Sequence, residues 1–285
     1  MDLLAQVFNG LGIGSIYALV ALGYSMVYGI VQLINFAHGD IIMVGAYVTY
    51  VGLVMAGMPL LFCGVAGVLI EKLAYSRLLK KGAPRISLLI TAIGVSIFLQ
   101  NLSQLLFSSS AKSMPAMFPN GMLELGALQI SSNTILNILT SVVMMIALQL
   151  LVNKTKIGKA MRATSEDAGA AKLMGINTNS TIAFTFGVGS ALAAVGAVLY
   201  CNTFHQITPY MGGMLGLKAF VAAVLGGIGS IPGAMLGGYI LGVAESLTTA
   251  AGGSQITDAV VFGILILVLL IKPAGLLGKN VREKV

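Results

Sequence analysis

Charge is the scarcest thing in this sequence. Only 9% of its 285 residues are Asp, Glu, Lys or Arg, whereas 57% are hydrophobic and mean hydropathy is +0.96. A soluble domain carries roughly a quarter charged residues, so a soluble reading is excluded. Cysteine is nearly as rare. Cys63 and Cys201 border or lie in apolar segments and form no metal or redox spacing, which leaves them as small packing residues. The two histidines, His38 and His205, form no ligand pair, and no serine or cysteine nucleophile with an orienting base is evident. No G-x-x-x-x-G-K-[ST] phosphate loop occurs. The sequence therefore predicts no catalytic residue, no metal and no cofactor held by this chain, and any nucleotide chemistry must come from another subunit.

What is present is a succession of nearly uncharged segments, each near or above the ~20 apolar residues of a spanning helix. They run over 3–33, 41–57, 58–76 (opened by Pro59), 86–108, 134–152, 182–204, 233–250 and 256–271. A further stretch, 217–231, is glycine-rich and too short for a comfortable span, and it predicts a re-entrant or half-helix. The stretch 109–131, with two prolines and one lysine, predicts an external loop or short hairpin. The 36 glycines fit a bundle in which helices approach closely in lipid. The predicted fold is an all-α polytopic membrane protein of about eight to ten membrane segments, broken or re-entrant helices included, forming a single domain over 1–285.

Net charge is +7, but its distribution argues against nucleic acid. Of 16 Lys and Arg, five lie at Lys72–Arg85, five at Lys154–Lys172 and four at Lys272–Lys284. Three basic clusters separated by apolar spans are what the positive-inside rule produces, so all three are predicted cytoplasmic and the N-terminus external. No Lys or Arg precedes Lys72, so the first segment lacks the basic start of a signal peptide and is expected to stay in the mature protein.

Polar interruptions mark candidate sites. In INFAHGD (34–40), Asn35 suits the N-cap of a helix beginning at Phe36, with His38, Gly39 and Asp40 in or near its first turn. If the restart lies at membrane depth, its backbone N–H groups must face protein or water, and they form a polar spot suited to a carboxylate. A plain cytoplasmic hairpin fits the same residues. A second restart is LGGIGSIPGAMLGG (225–238), where Gly226, Gly227 and Gly229 permit non-helical backbone, Ser230 follows, and Pro232 opens a helix. GIGSI recurs at 12–16 and 227–231, an echo that an internal repeat or chance would each explain. Lys218 and Glu245 are charges inside apolar segments. Each must face protein, water or the other, and Glu245 is predicted to face the bundle interior, while Lys218 also suits snorkelling to the interface.

After the second basic cluster comes ATSEDAGAAKLMGINTNS (163–180). Thr164 and Asp167 have the form of a capping box and Gly175 that of a helix stop. The helix between them would gather Ala170, Ala171, Leu173 and Met174 on one apolar face, which needs a cover: the membrane ends of the same chain, or a cytosolic partner.

These stretches carry a resemblance. NGLGIGSIYALVALGYSMVYGIVQLINFAHGD (9–40), TAIGVSIFLQN (91–101), SEDAGAAKLMGIN (165–177), GLKAFVAAVLGGIGSIPGAMLGGYILGVAES (216–246) and the ending ILILVLLIKPAGLLG make the chain closely similar to the H-type permease subunit of bacterial branched-chain amino acid ABC importers. The resemblance implies a multi-pass protein of the bacterial inner membrane that translocates Leu, Ile, Val or related small amino acid or amide solutes. It implies a second permease subunit, of the M-type, two cytosolic ATPases that bind ATP and Mg, and an external solute-binding protein. It also implies a cytoplasmic coupling segment at about 154–181. Related permeases carry Glu-Ala-Ala, three residues, then Gly. This sequence has GAAKLMG at 169–175, so Ala170, Ala171 and Gly175 match, Gly169 replaces the glutamate, and a charge contact would move to Glu166 and Asp167. The substrate pathway would draw on Asn35, His38, Gly39, Asp40, Gly226, Gly227, Gly229, Ser230 and Glu245. A stand-alone secondary transporter or channel would instead need ion-coupling carboxylates, for which Asp40, Glu245 and Asp258 are a thin set.

Overall fold

In the computed structural model the described residues are 3–31, 35–52, 85–118, 121–125 and 128–278. The segment predicted at 58–76, most of the first basic cluster and Cys63 lie outside them. Ten α-helices are found among the described residues, with the four short strands confined to one end of the bundle.

The chain opens with α1 (Leu3–Val31), a 29-residue apolar helix. It packs against α9 (Ile231–Ala250), α7 (Thr178–Phe204), α4 (Ser132–Lys154) and α8 (Met211–Gly226), which makes it the centre of the bundle. Ile16, Leu19, Val20 and Leu22 are fully buried in consequence. Contact between α1 and α9 is close because both carry glycine there. A Cβ on Gly10 would stand 2.6 Å from Val243 Cα, and one on Gly14 would stand 2.7 Å from the Gly238 carbonyl. Partner numbers fall as α1 numbers rise, so the two helices are antiparallel. Small residues permitting such approach stabilise helix pairs in lipid through dispersion contacts. The GIGSI echo does not mark equivalent structure: residues 12–16 are helix interior, while 227–231 form a turn and the first residue of α9.

The remaining spans are α3 (Arg85–Phe107) and α10 (Thr257–Ile271), which follows a 3₁₀ turn at Ser254–Ile256. Among the described residues five helical stretches, in α1, α3, α4, α7 and Ser254–Ile271, are long and apolar enough to cross a membrane. With the shorter α2 (His38–Tyr50), α8 and the 20-residue α9, this is a multi-pass membrane bundle. The end of α4 bearing Lys154 and the end of α10 before Lys272 mark the basic end of the bundle, the one that the positive-inside rule assigns to the cytoplasm and that is called cytoplasmic below. At the opposite end, called outer below, Gly12 of α1 meets Thr134 of α4, so the start of α1 lies away from the basic end.

The stretch 109–131 holds the outer strands, β1 (Lys112–Ser113), β2 (Met122–Leu125) and β3 (Leu128–Ser131). β2 and β3 pair as an antiparallel hairpin, and β1 pairs with β4 (Gln206–Ile207) after α7. The hairpin expectation holds.

Three boundaries differ from expectation. The short segment read at 217–231 is α8, which starts six residues earlier at Met211 and stops at Gly226, because Gly227 (φ +103°) and Gly229 (φ +88°) adopt backbone that other residues resist. α2 begins at His38, not Phe36. The segment 163–180 holds the end of α5 (Lys156–Glu166), all of α6 (Ala168–Leu173) and the start of α7. Thr164 caps neither: it is buried within α5 with its hydroxyl donating to the Ala160 carbonyl.

Candidate functional site

The first candidate region is the restart ahead of α2. Asn35 Oδ1 accepts from Ala37 N at 3.0 Å and its carbonyl accepts from His38 N at 3.1 Å, so the side chain folds the turn before the helix and does not cap its first turn. His38, Gly39 and Asp40 are all buried. A Cβ on Gly23 would stand 2.5 Å from His38 Nε2 and 3.1 Å from the Gly189 carbonyl of α7. Gly23 precedes the last residue of α1, Val31, by eight positions, and at 1.5 Å per residue that is about 12 Å. The restart therefore packs inside the bundle, among α1, α7 and α8. Close backbone contact holds it there, since a Cβ on Gly39 would strike the Gly212 carbonyl and stand 2.9 Å from Gly216 Cα in α8.

Neighbours engage its side chains, although His38 Nε2 is buried with no hydrogen-bond partner among the described residues. His38 meets the backbone of Val20 by a hydrogen bond and the Tyr24 ring edge-on at 4.7 Å. Asp40 Oδ1 accepts from Gln100 Nε2 at 2.9 Å, Gln100 also reaches Ser96 Oγ at 3.4 Å, and Ser96 bonds the same carboxylate. Ser96 and Gln100 were missed from sequence. Their signal was an i, i+4 polar pair on one face of an otherwise apolar helix.

The second restart is a turn at the cytoplasmic end of α8 and α9. Ser230 caps α9 by accepting from Gly233 N at 3.2 Å, and Pro232 lies in its first turn, as expected. The turn is closed by the chain's own last described segment: Leu276 N and Leu277 N each donate at 2.9 Å to the carbonyls of Leu225 and Gly226. Gly226 and Gly227 are buried under it. Gly229 stands beside Gly29 of α1, six residues beyond the Gly23 that meets His38, and the hydrogen bonds that cap and close this turn reach none of Asn35, His38 and Asp40.

Glu245 lies near the outer end of α9 and faces the interior. Its Oε2 accepts from Tyr17 Oη at 2.7 Å and its Oε1 from Lys218 Nζ at 2.8 Å. Lys218 also pairs with Asp258 Oδ1 at 2.9 Å. Lys218 accordingly does not snorkel: it is neutralised inside the bundle by two carboxylates from neighbouring helices. Tyr17 was missed because nothing in α1 flags which of its tyrosines meets a charge.

On the cytoplasmic side, Asp167 separates α5 from α6 and caps the latter, its Oδ1 accepting from Gly169 N (2.7 Å) and Ala170 N (2.9 Å). Gly175 (φ +83°) ends α6, with Ile176 N donating to the Ala171 carbonyl at 3.0 Å. The four residues read as one apolar face divide. Ala171 is buried against its own chain, whereas Ala170 is exposed and Leu173 and Met174 are 90% and 83% exposed. Ala170, Leu173 and Met174 stand three and four positions apart and share the outward face of α6, while Ala171, about 100° round from Ala170, turns toward the chain. Glu166 and Asp167 are exposed beside it.

Comparison with known proteins adds the remaining findings. The family described as branched-chain amino acid transport system / permease component matches residues 6–270. The chain is 44% identical to the high-affinity branched-chain amino acid transport system permease protein BraD of Pseudomonas aeruginosa, over 99% of this chain and 98% of that protein. It is 44% identical to LivH of Escherichia coli K12, of the same description, over 99% and 97%. It is 32% identical to the probable branched-chain amino acid transport permease protein LivH of Methanocaldococcus jannaschii, over 93% and 89%. No solved structure matches.

Proposed function

The chain belongs to the family of permease components of branched-chain amino acid transport systems, and from that premise we propose that it is the membrane-spanning permease subunit of an ATP-driven importer of Leu, Ile, Val or related small solutes. Full-length identity of 44% to proteins so named is the observation that carries this reading. It works in the bacterial inner membrane beside a second permease subunit of the M-type, with two cytosolic ATPases that bind ATP and Mg and an external binding protein that delivers the solute.

In this reading α6 is the coupling element. Leu173 and Met174 offer an uncovered apolar pair, Ala170 and Gly175 permit close approach, and Glu166 and Asp167 supply charge. Ala171 supports the element from behind, since it packs on its own chain. ATP binding would draw the ATPases together and move the docked helices, favouring one state of the bundle over the other, as any ligand-driven population shift requires. The break at 35–40, inside the bundle and against α3 and α8, is the element best placed to change shape in the pathway.

The test is reconstitution. The chain in proteoliposomes with its second permease, the ATPases and the binding protein should take up leucine only with ATP. Gradient-driven uptake by the isolated chain would overturn the reading in favour of a secondary transporter.

A further inference from the structure

At the outer end of the bundle α1, α4, α7 and α9 leave a cavity of about 530 Å³ between them, within the size range of small-ligand sites. Its wall is polar for so apolar a bundle: Asn9, Asn133, Thr134, Asn137, Thr203 and Glu245 all line it. Glu245 is the one charged residue of the lining, which has no Lys, Arg or His. Lys218 pairs with that carboxylate from outside the lining, and one cation against Glu245 and Asp258 leaves the cluster formally anionic. Tyr17 and Lys218 occupy only part of the Glu245 carboxylate, because such a group has about four acceptor sites.

Asn137 belongs to the same wall and lies closed beneath its surface. Asn137 is 1% exposed, and its Nδ2 donates to the Gly12 carbonyl at 3.4 Å and to Thr203 Oγ1 at 3.1 Å. Its Oδ1 is buried and has no partner among the described residues. An unpaired buried acceptor is costly, so it marks where a donor belongs. The last turns of α7 and α9, at Phe204 and Thr249, add the partial negative charge of helix C-termini, while the first turns of α1 and α4 face the same space with the opposite sign. A dipolar cavity with an anionic wall suits a ligand that presents a cation together with an anion.

We propose that this outer cavity receives a primary ammonium group, accepted by the Glu245 carboxylate, with the unpaired Asn137 Oδ1 beneath the same wall favouring a cation there, and that its occupant is the free amino acid entering the transporter. The inference rests on the transport reading above and names the group recognised. A phosphatidylethanolamine headgroup carries the same ammonium, so the experiment separates the two sources.

The two permeases and two ATPases are reconstituted with Asn9→Cys in a Cys63→Ser, Cys201→Ala background, and labelling by an impermeant thiol reagent is timed. Asn9 is exposed and lines the cavity, so the label reads occupancy without disturbing the core. Leucine and isopentylamine, which keep the ammonium, should each slow labelling at least fivefold, and 4-methylpentanoate, which lacks it, should not. This should hold in phosphatidylglycerol vesicles with or without phosphatidylethanolamine. Slow labelling set by phosphatidylethanolamine and indifferent to leucine would overturn the proposal, as would equal protection by 4-methylpentanoate. ATP-driven leucine uptake, measured with binding protein in the same vesicles, separates the failures: uptake without protection overturns this site alone, and no uptake overturns the transport reading and the site with it.

Discussion

Lys218 Nζ stands 2.8 Å from Glu245 Oε1, an ion pair that ties α8 to α9 within an apolar bundle. Removing the lysine leaves Glu245 without a cation where its side chain is 18% exposed, while Asp258, at 48%, retains water. Breaking a largely buried pair from one side costs about 3 kcal/mol, much of it the stranded charge. Lys218→Met should therefore lower the thermal unfolding midpoint of the purified protein sharply. Adding Glu245→Gln to it should restore most of the loss, since two neutral groups leave nothing stranded. A double variant no more stable than Lys218→Met would show that the pair is not coupled.

Tyr17→Phe removes a 2.7 Å bond to the same carboxylate without changing packing volume. A hydrogen bond to a charged group contributes about 1.5–3 kcal/mol. The variant should be destabilised by that order in the same unfolding assay, and the effect should vanish in a Glu245→Gln background.

Gly23 is where α1 makes room for His38. Gly23→Ala places a methyl 2.5 Å from the ring nitrogen, with the Gly189 backbone closing the other side at 3.1 Å. Neither neighbour is a flexible chain end, and overpacking of this kind costs about 1–3 kcal/mol. The variant should accumulate poorly in membranes, and His38→Ala should rescue it by vacating the space. Membrane abundance of the two variants decides the point, and failure of rescue would mean that the backbone contact with Gly189 dominates.

Span positions were legible because hydropathy and charge act locally: 86–108, 134–152, 182–204 and 256–271 each fall on a helix of the bundle. The hairpin outside and the Ser230–Pro232 start of α9 were legible for the same reason, being set by residues adjacent in sequence. What was illegible depends on partners distant in the chain. Asp40 finds Gln100 sixty positions away and Tyr17 finds Glu245 at a separation of 228. No local pattern distinguishes a buried restart from a hairpin, because depth is fixed by Gly39 meeting Gly212 and Gly216. The division of Ala170, Ala171, Leu173 and Met174 was illegible because which side of this short helix meets the rest of the chain is set by tertiary contact and not by local pattern: only Ala171 turns inward.

Exposure separates two kinds of variant in α6. Leu173→Glu and Met174→Glu alter side chains that touch little of their own chain, so folding should be unchanged while ATPase subunits no longer co-purify and uptake falls at least tenfold. Ala171→Phe alters a buried position and should destabilise the permease itself. Asp167→Asn keeps a capping side chain, whereas Asp167→Ala gives up two backbone donors and costs about 1 kcal/mol. Uptake lost in Asp167→Asn at normal stability would assign the carboxylate's charge to the partner, and uptake lost only in Asp167→Ala would assign it to the cap.

Glycines of similar backbone but different surroundings test whether residues 272–278 seat on the turn between α8 and α9. Gly252 has φ +85° and open space around it, so Gly252→Ala meets conformational strain alone, about 1 kcal/mol. Gly275 has φ +79°, and its added methyl would stand 2.5 Å from Gly227 N and 2.7 Å from the Val224 carbonyl. Gly275→Ala therefore carries the same strain plus a backbone clash and must push the segment off the carbonyls of Leu225 and Gly226. Gly263 lies inside α10 with nothing within 4 Å, so Gly263→Ala gains helix propensity, up to about 1 kcal/mol. Unfolding midpoints should fall in the order Gly263→Ala, Gly252→Ala, Gly275→Ala. Equal midpoints for the last two would mean that the segment does not close the turn, because strain without contact is then the whole effect.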